Sequence, residues 1–171
     1  KLDLNLSGYD VLTEVGSNLY NYTPLIPLLA GANHVMAWTR DSKFGKSNDI
    51  IAECKMKLDT VNNINSINFF EGTINKNDLE QADIITNSNF LRPLNEEKLK
   101  YVKNTAVIPL MYESWELRDE DVSIDYCTKR GIKVAGTNEN FNDIKVFQHI
   151  GYLALKMIFE AGYEVFNNNI I

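Results

Sequence analysis

Three short polar segments of this 171-residue chain carry side chains suited to binding, and each follows an apolar run of strand length. Asn87-Ser88-Asn89 follows residues 83–86, Tyr112-Glu113-Ser114-Trp115 follows residues 106–111, and Thr137-Asn138-Glu139 follows residues 132–135. Ser88, Asn89 and Ser114 offer neutral hydrogen-bonding groups, and Arg118 offers a partner for an anion. Trp115 would supply an apolar wall, and Tyr112 a wall with a polar tip. Glu113 and Glu116 fit an acid–base pair and fit equally well a solvated loop shared with Arg118, Asp119, Glu120 and Asp121. Either glutamate would repel a carboxylate nearby, so the expected ligand is a small polar metabolite with amine or hydroxyl groups. No residue is assigned a catalytic role.

Other features suggest less chemistry. Gly16-Ser17-Asn18 follows a strand-like run and could cradle a phosphate, but one glycine is weak evidence and a plain turn is the simpler reading. His34 and His149 have no Cys, Asp or Glu at ligand spacing, so no metal site is expected. Arg40-Asp41 has the form of a local ion pair, although the Arg40 fork could also meet an anionic ligand. Cys54 and Cys127 lack CxxC spacing, which fits a reduced cytoplasmic protein. A net charge of −6 with no basic run argues against nucleic acid or an anionic membrane as partner. No apolar stretch approaches membrane-spanning length, and the first residues lack a signal-peptide pattern.

The elements that must position these groups alternate. Apolar runs at 10–15, 34–38, 67–70, 83–86, 106–111 and 132–135 predict six strands. Helical patterns fall at 19–30, 47–58, 76–81, 95–102 and 122–129. Alternation of this kind predicts an α/β fold, a flavodoxin-like or Rossmann-like, mostly parallel sheet of five or six strands with helices on both faces. Right-handed crossovers would bring the loops after the strands to one edge. The uninterrupted apolar run around Val107-Ile108 predicts a central strand. A last helix, 143–161, is apolar over so much of its surface that it should be covered on more than one side, and a homodimer through it is expected.

Residues 79–139 resemble the substrate-binding domain of the D-isomer-specific 2-hydroxyacid dehydrogenases. The matching residues are Ala82-Asp83-Ile84-Ile85-Thr86-Asn87-Ser88, Leu94-Asn95-Glu96-Glu97-Lys98-Leu99, Val107-Ile108, Asp121-Val122-Ser123-Ile124, Thr128-Lys129-Arg130-Gly131-Ile132-Lys133-Val134 and Gly136-Thr137. The family's glycine-rich turn after the Val107-Ile108 strand is replaced here by Met111-Tyr112-Glu113-Ser114-Trp115. The resemblance implies that residues 1–142 form a substrate-binding-like α/β domain and that 143–171 begin a junction to a nucleotide-binding domain. Neither GxGxxG nor the family's later catalytic Arg, Glu and His occurs. The expectation is therefore no cofactor in this chain and NAD(P) in a full-length protein, an NAD-dependent oxidoreductase. The alternative is a stand-alone metabolite-binding or oligomerisation module without catalysis.

Overall fold

In the strands the side chains alternate between two apolar faces. Leu12, Met36 and Trp38 enter one buried cluster with Ile85, Leu91, Leu99 and Ile108, while Val11, Val15, Val35 and Ala37 enter another with Leu28, Ile50 and Leu58. A strand whose successive residues are all buried is covered on both faces, as in parallel sheets packed between helices. The computed structural model describes residues 3–59, 67–88 and 90–166. Its strands are β1 (Asp10–Glu14), β2 (His34–Thr39), β3 (Ile67–Glu71), β4 (Ile84–Ile85), β5 (Val107–Pro109) and β6 (Lys133–Ala135). All pair in parallel, in the order β3-β2-β1-β4-β5-β6. This is the Rossmann-like, doubly wound order, and it reverses direction between β1 and β4. The expected α/β fold is the one observed.

The helices are α1 (Leu25–Leu29), α2 (Ser47–Leu58), α3 (Lys76–Gln81), α4 (Glu96–Leu99), α5 (Ile124–Arg130) and α6 (Val146–Glu160). Local chemistry sets their ends. The Asp78 carboxylate accepts the Asn75 N–H before α3, Asn95 Oδ1 accepts the Lys98 N–H in α4, and Gly131 closes α5 in the left-handed region at φ +76°. The single helix expected over 19–30 is instead a 3-10 helix, Asn18–Tyr22, followed by α1. Pro24 and Pro27 explain the break: neither has an N–H, so each is tolerated only where the helical ladder has yet to begin.

A second departure concerns β5. It lies between β4 and β6, one place in from the edge, so the middle of the sheet is β1 and β4. Of its three residues only Ile108 is fully buried, because β6 beside it is short and half exposed. The apolar run is a sound sign of an internal strand but carries no information on strand order.

Two compact units are present, Lys1–Gly136 and Thr137–Ile171. The sheet belongs to the first. In the second, Asn138 organises a turn, its Oδ1 accepting the Asn140 N–H and its carbonyl the Phe141 N–H. Helix α6 then begins at Val146, after Lys145 at φ +55°, rather than at 143. Among the described residues no helix is long and apolar enough to cross a membrane.

Candidate ligand site

Parallel pairing places every strand's C-terminal end on one edge, and the reversal between β1 and β4 opens a crevice there. β1 delivers Glu14 to it, and the loop after β4 delivers Ser88. Glu14 is only 1% exposed, yet it lines a cavity of about 580 Å³. Its Oε2 accepts the Phe90 N–H at 2.8 Å, which fixes the carboxylate at the end of the strand. Thr13, Thr86 and Ser88 form a buried hydroxyl chain beside it, with both Oγ–Oγ distances at 2.9 Å. Tyr20, Thr23, Arg92, Met111, Tyr112, Glu116 and Arg118 complete the wall.

One buried carboxylate holds the far wall in place. Asp121, 4% exposed, accepts from Arg118 Nε at 3.0 Å and Nη2 at 2.9 Å, from Arg92 Nη1 at 3.3 Å, and from the Tyr112 hydroxyl at 3.2 Å. The Arg118 hydrogen bonds, with help from Arg92 and Tyr112, hold its carboxyl below the usual aspartate range against the opposing effect of burial. Burial, and then the Asp121 charge, push the Tyr112 phenol up, so it stays a neutral donor. The Arg92 guanidinium also lies over the Tyr112 ring, 5.1 Å from its centroid. What looks like a solvated charged loop in the sequence thus contains a buried anchor. The backbone agrees: Leu94 N–H donates to the Asp121 carbonyl, and Ser123 N–H to that of Leu94.

Of the residues singled out from the sequence, Ser88, Tyr112, Glu116 and Arg118 come together in this cavity. Asn87 lies fully buried behind it, its Oδ1 accepting the Met111 N–H at 2.7 Å and its Nδ2 left without an acceptor. Asn87 therefore shapes the loop after β5. Glu113 and Ser114 do not line the cavity. Ser114 packs instead on Gly136, where an added Cβ would come within 3.2 Å of its Cβ. Trp115, in a short 3-10 helix (Ser114–Glu116), is 74% exposed and lines none of it. Asn89 lies outside the described residues. Thr137, Asn138 and Glu139 belong to the second unit, where Thr137 and Asn138 are exposed and Glu139 is half-buried. Sequence reasoning missed Glu14 and Arg92. The available signal was Glu14 itself, the one charged side chain in the run Val11-Leu12-Thr13-Glu14-Val15.

Two guanidinium groups, Arg92 and Arg118, two carboxylates, Glu14 and Glu116, and the hydroxyl-bearing Ser88 and Tyr112 line the same cavity. It can hold a small ligand bearing both charges, or an amine or hydroxyl beside a carboxylate. Among the described residues no group of three or more His, Cys, Asp or Glu could hold a metal. Cys54 and Cys127 are free and buried, and burial pushes the Cys54 thiol up to about 11, which makes it unreactive.

A dinucleotide does not fit the turn after β1. The Gly16 N–H, which a phosphate cradle would turn toward the ligand, donates to the Tyr20 carbonyl at 3.2 Å. The element that follows is the five-residue 3-10 helix, with no long row of aligned N–H groups. A Cβ at Gly16 would lie 2.8 Å from that of Tyr20, so this glycine serves close packing of the turn. Calorimetric titration should accordingly find NAD binding weaker than about 1 mM; micromolar affinity would return attention to Gly16-Ser17-Asn18.

A parallel sheet in this order, with a ligand-sized crevice at its reversal, defines a Rossmann-like α/β domain, and oxidoreductases are among the solved structures that share it. The chain is similar in fold to a dipicolinate synthase chain from Bacillus subtilis, with a TM-score of 0.59 and 18% identity over 91% of this chain and 47% of that one. The corresponding dipicolinate synthase chain from Bacillus halodurans gives 0.58 and 15%, over 91% and 48%. Shikimate 5-dehydrogenase from Listeria monocytogenes, solved with shikimate and NAD, gives 0.54 and 8%, over 90% and 57%. The chain spans about half the length of these structures. No family model matches the sequence, and no curated protein does.

Proposed function

We propose that this chain is the substrate-binding part of a cytoplasmic NAD-dependent oxidoreductase of the 2-hydroxyacid dehydrogenase type, with the nucleotide held by a domain outside it. The observation that carries the reading is the mixed-charge cavity at the sheet reversal, built where open α/β folds bind ligands. The mismatch of the Gly16 turn to a dinucleotide supports a substrate role for this domain. In this reading Ser88, Tyr112 and Arg118 bind the ligand with Glu14 and Arg92, and Asn87 positions the wall. Glu14 takes the amine or hydroxyl end, and the guanidinium groups take the carboxylate end.

Thermal-shift titration with serine and with glycolate tests this. Serine should stabilise the chain more than glycolate does, and Glu14→Gln should weaken the serine response by about tenfold, the scale of one lost charged hydrogen bond. Trp115→Ala should leave it unchanged. Equal responses in the parent and Glu14→Gln would place the ligand elsewhere.

A second reading, an association module, is favoured by α6. Phe147, Ile150, Leu153, Leu155, Met157 and Phe159 are all exposed on it. We propose a second copy of the chain as the occupant of this face.

A further inference from the structure

The same sheet edge carries a second recess, beyond β2 and β3, with a different charge character. Trp38 and Arg40 from the end of β2, the turn after β3, and the segments bearing Phe90 and Lys98 enclose about 440 Å³. In a chain of net charge −6, four bases line this recess, Arg40, Lys76, Arg92 and Lys98, against the single acid Glu97.

Arg40 is the central group. Its guanidinium lies 5.9 Å from the Trp38 ring centroid and 5.2 Å from that of Phe90, while those two rings meet edge-on at 6.2 Å. The ion pair with Asp41 suggested by the sequence does not form. Asp41 accepts instead from Lys46, from the Ser47 N–H and from the Ser47 hydroxyl. Among the described residues, Arg40 has no hydrogen bond or ion pair to a protein acceptor. The aromatic rings flank the guanidinium while its N–H fork stays uncommitted and available to two oxygens of one anion.

Lys98 is drawn into the same recess by the carbonyls of Leu91 at 3.1 Å and Pro93 at 2.8 Å. Burial, and then the positive charge of Arg40, hold its ammonium below its ordinary value. Two cations kept together at this cost are relieved by an anion between them. Trp38 is a wall residue whose indole N–H is buried and without an acceptor, which makes it a sensitive reporter of changes in the recess. Apart from Glu97, the charged groups here donate.

We propose that this recess binds an oxyanion, phosphate or carboxylate, carried by a small metabolite, at a site centred on Arg40 and Lys98 that shares Arg92 with the wall of the crevice at the sheet reversal. The volume leaves room for a body beyond the oxyanion itself. The site does not depend on the function proposed above.

The indole ¹H–¹⁵N resonance of Trp38, assigned by its persistence in Trp115→Phe, is the reporter. Phenyl phosphate, benzoate and benzyl alcohol are titrated at constant ionic strength, so that one ring carries either oxyanion or none. Saturable shifts are expected with phenyl phosphate or benzoate at affinities tighter than about 1 mM, and none with benzyl alcohol. The tighter of the two identifies the oxyanion. Arg40→Ala should weaken binding by about tenfold or more, Arg40→Lys by less, and Lys129→Ala, which removes equal charge elsewhere, should not. No saturable shift with either oxyanion, equal affinity for benzyl alcohol, or unchanged affinity in Arg40→Ala would overturn the proposal.

Discussion

Asp121→Ala is expected to destabilise the chain by about 2 kcal/mol, on the scale of charged hydrogen bonds lost from a buried acceptor. Two arginines and a tyrosine converge on this carboxylate, and its removal leaves the Tyr112 hydroxyl and the part-buried Arg92 without their shared acceptor. Arg118 is well exposed and regains water, so its share of the loss is small. For a chain of this length the change corresponds to about 4–8 °C in melting temperature. The pH dependence follows from the lowered folded-state carboxyl. Its stabilising contribution is complete above the unfolded-state value of about 3.9 and is lost as pH falls through the lower folded value. Asp121→Asn should therefore narrow the stability difference from the parent as the buffer is taken below about pH 4. Thermal melts across this range provide the check, and a parent-like melting temperature for Asp121→Ala would mean that other contacts hold residues 112–121.

Self-association through α6 is the second large effect expected. Phe147, Ile150, Leu153 and Met157 follow one another at helical spacing and form one stripe, while Tyr152, Leu155 and Phe159 are exposed on the opposite side of the helix. Its one ion pair, Lys156 with Glu160, is exposed and adds little. A stripe of this kind on two copies, related by a twofold axis, is self-complementary and can approach the roughly 800 Å² per partner of a stable interface. Phe147→Glu together with Leu153→Glu should weaken the dimer by about a hundredfold or more, since each would place a charge in a desolvated contact. Light scattering across a concentration series measures this. A parent chain that stays monomeric at high concentration would rule out a second copy as the partner of this face.

The sequence by itself determined the class of fold. Six apolar runs alternating with helical patterns leave a parallel sheet between helices as the solution that buries every run, and the boundaries of β1, β2, β3, α2 and α3 follow within a residue or so. It also placed Ser88, Tyr112 and Arg118 in loops at one edge, because the polarity of a parallel strand decides where its C-terminal loop goes. Strand order was a different matter. Nothing local in Val107-Ile108 distinguishes the middle of a sheet from one place in, since a strand flanked on both sides looks the same in either position. The order β3-β2-β1-β4-β5-β6 put the reversal between β1 and β4, and with it made Glu14, the last residue of β1, part of a cavity wall. Charge in a loop was equally ambiguous. Asp119, Glu120 and Asp121 are consecutive and chemically alike, yet only Asp121 is buried, because Arg92, some thirty residues away in the chain, comes to meet it. The same holds for Arg40, whose neighbour Asp41 turns to Lys46 and Ser47 and leaves its guanidinium beside the rings of Trp38 and Phe90. Side-chain pairing of this kind depends on which distant segments the sheet brings into contact, and only the tertiary structure decides that.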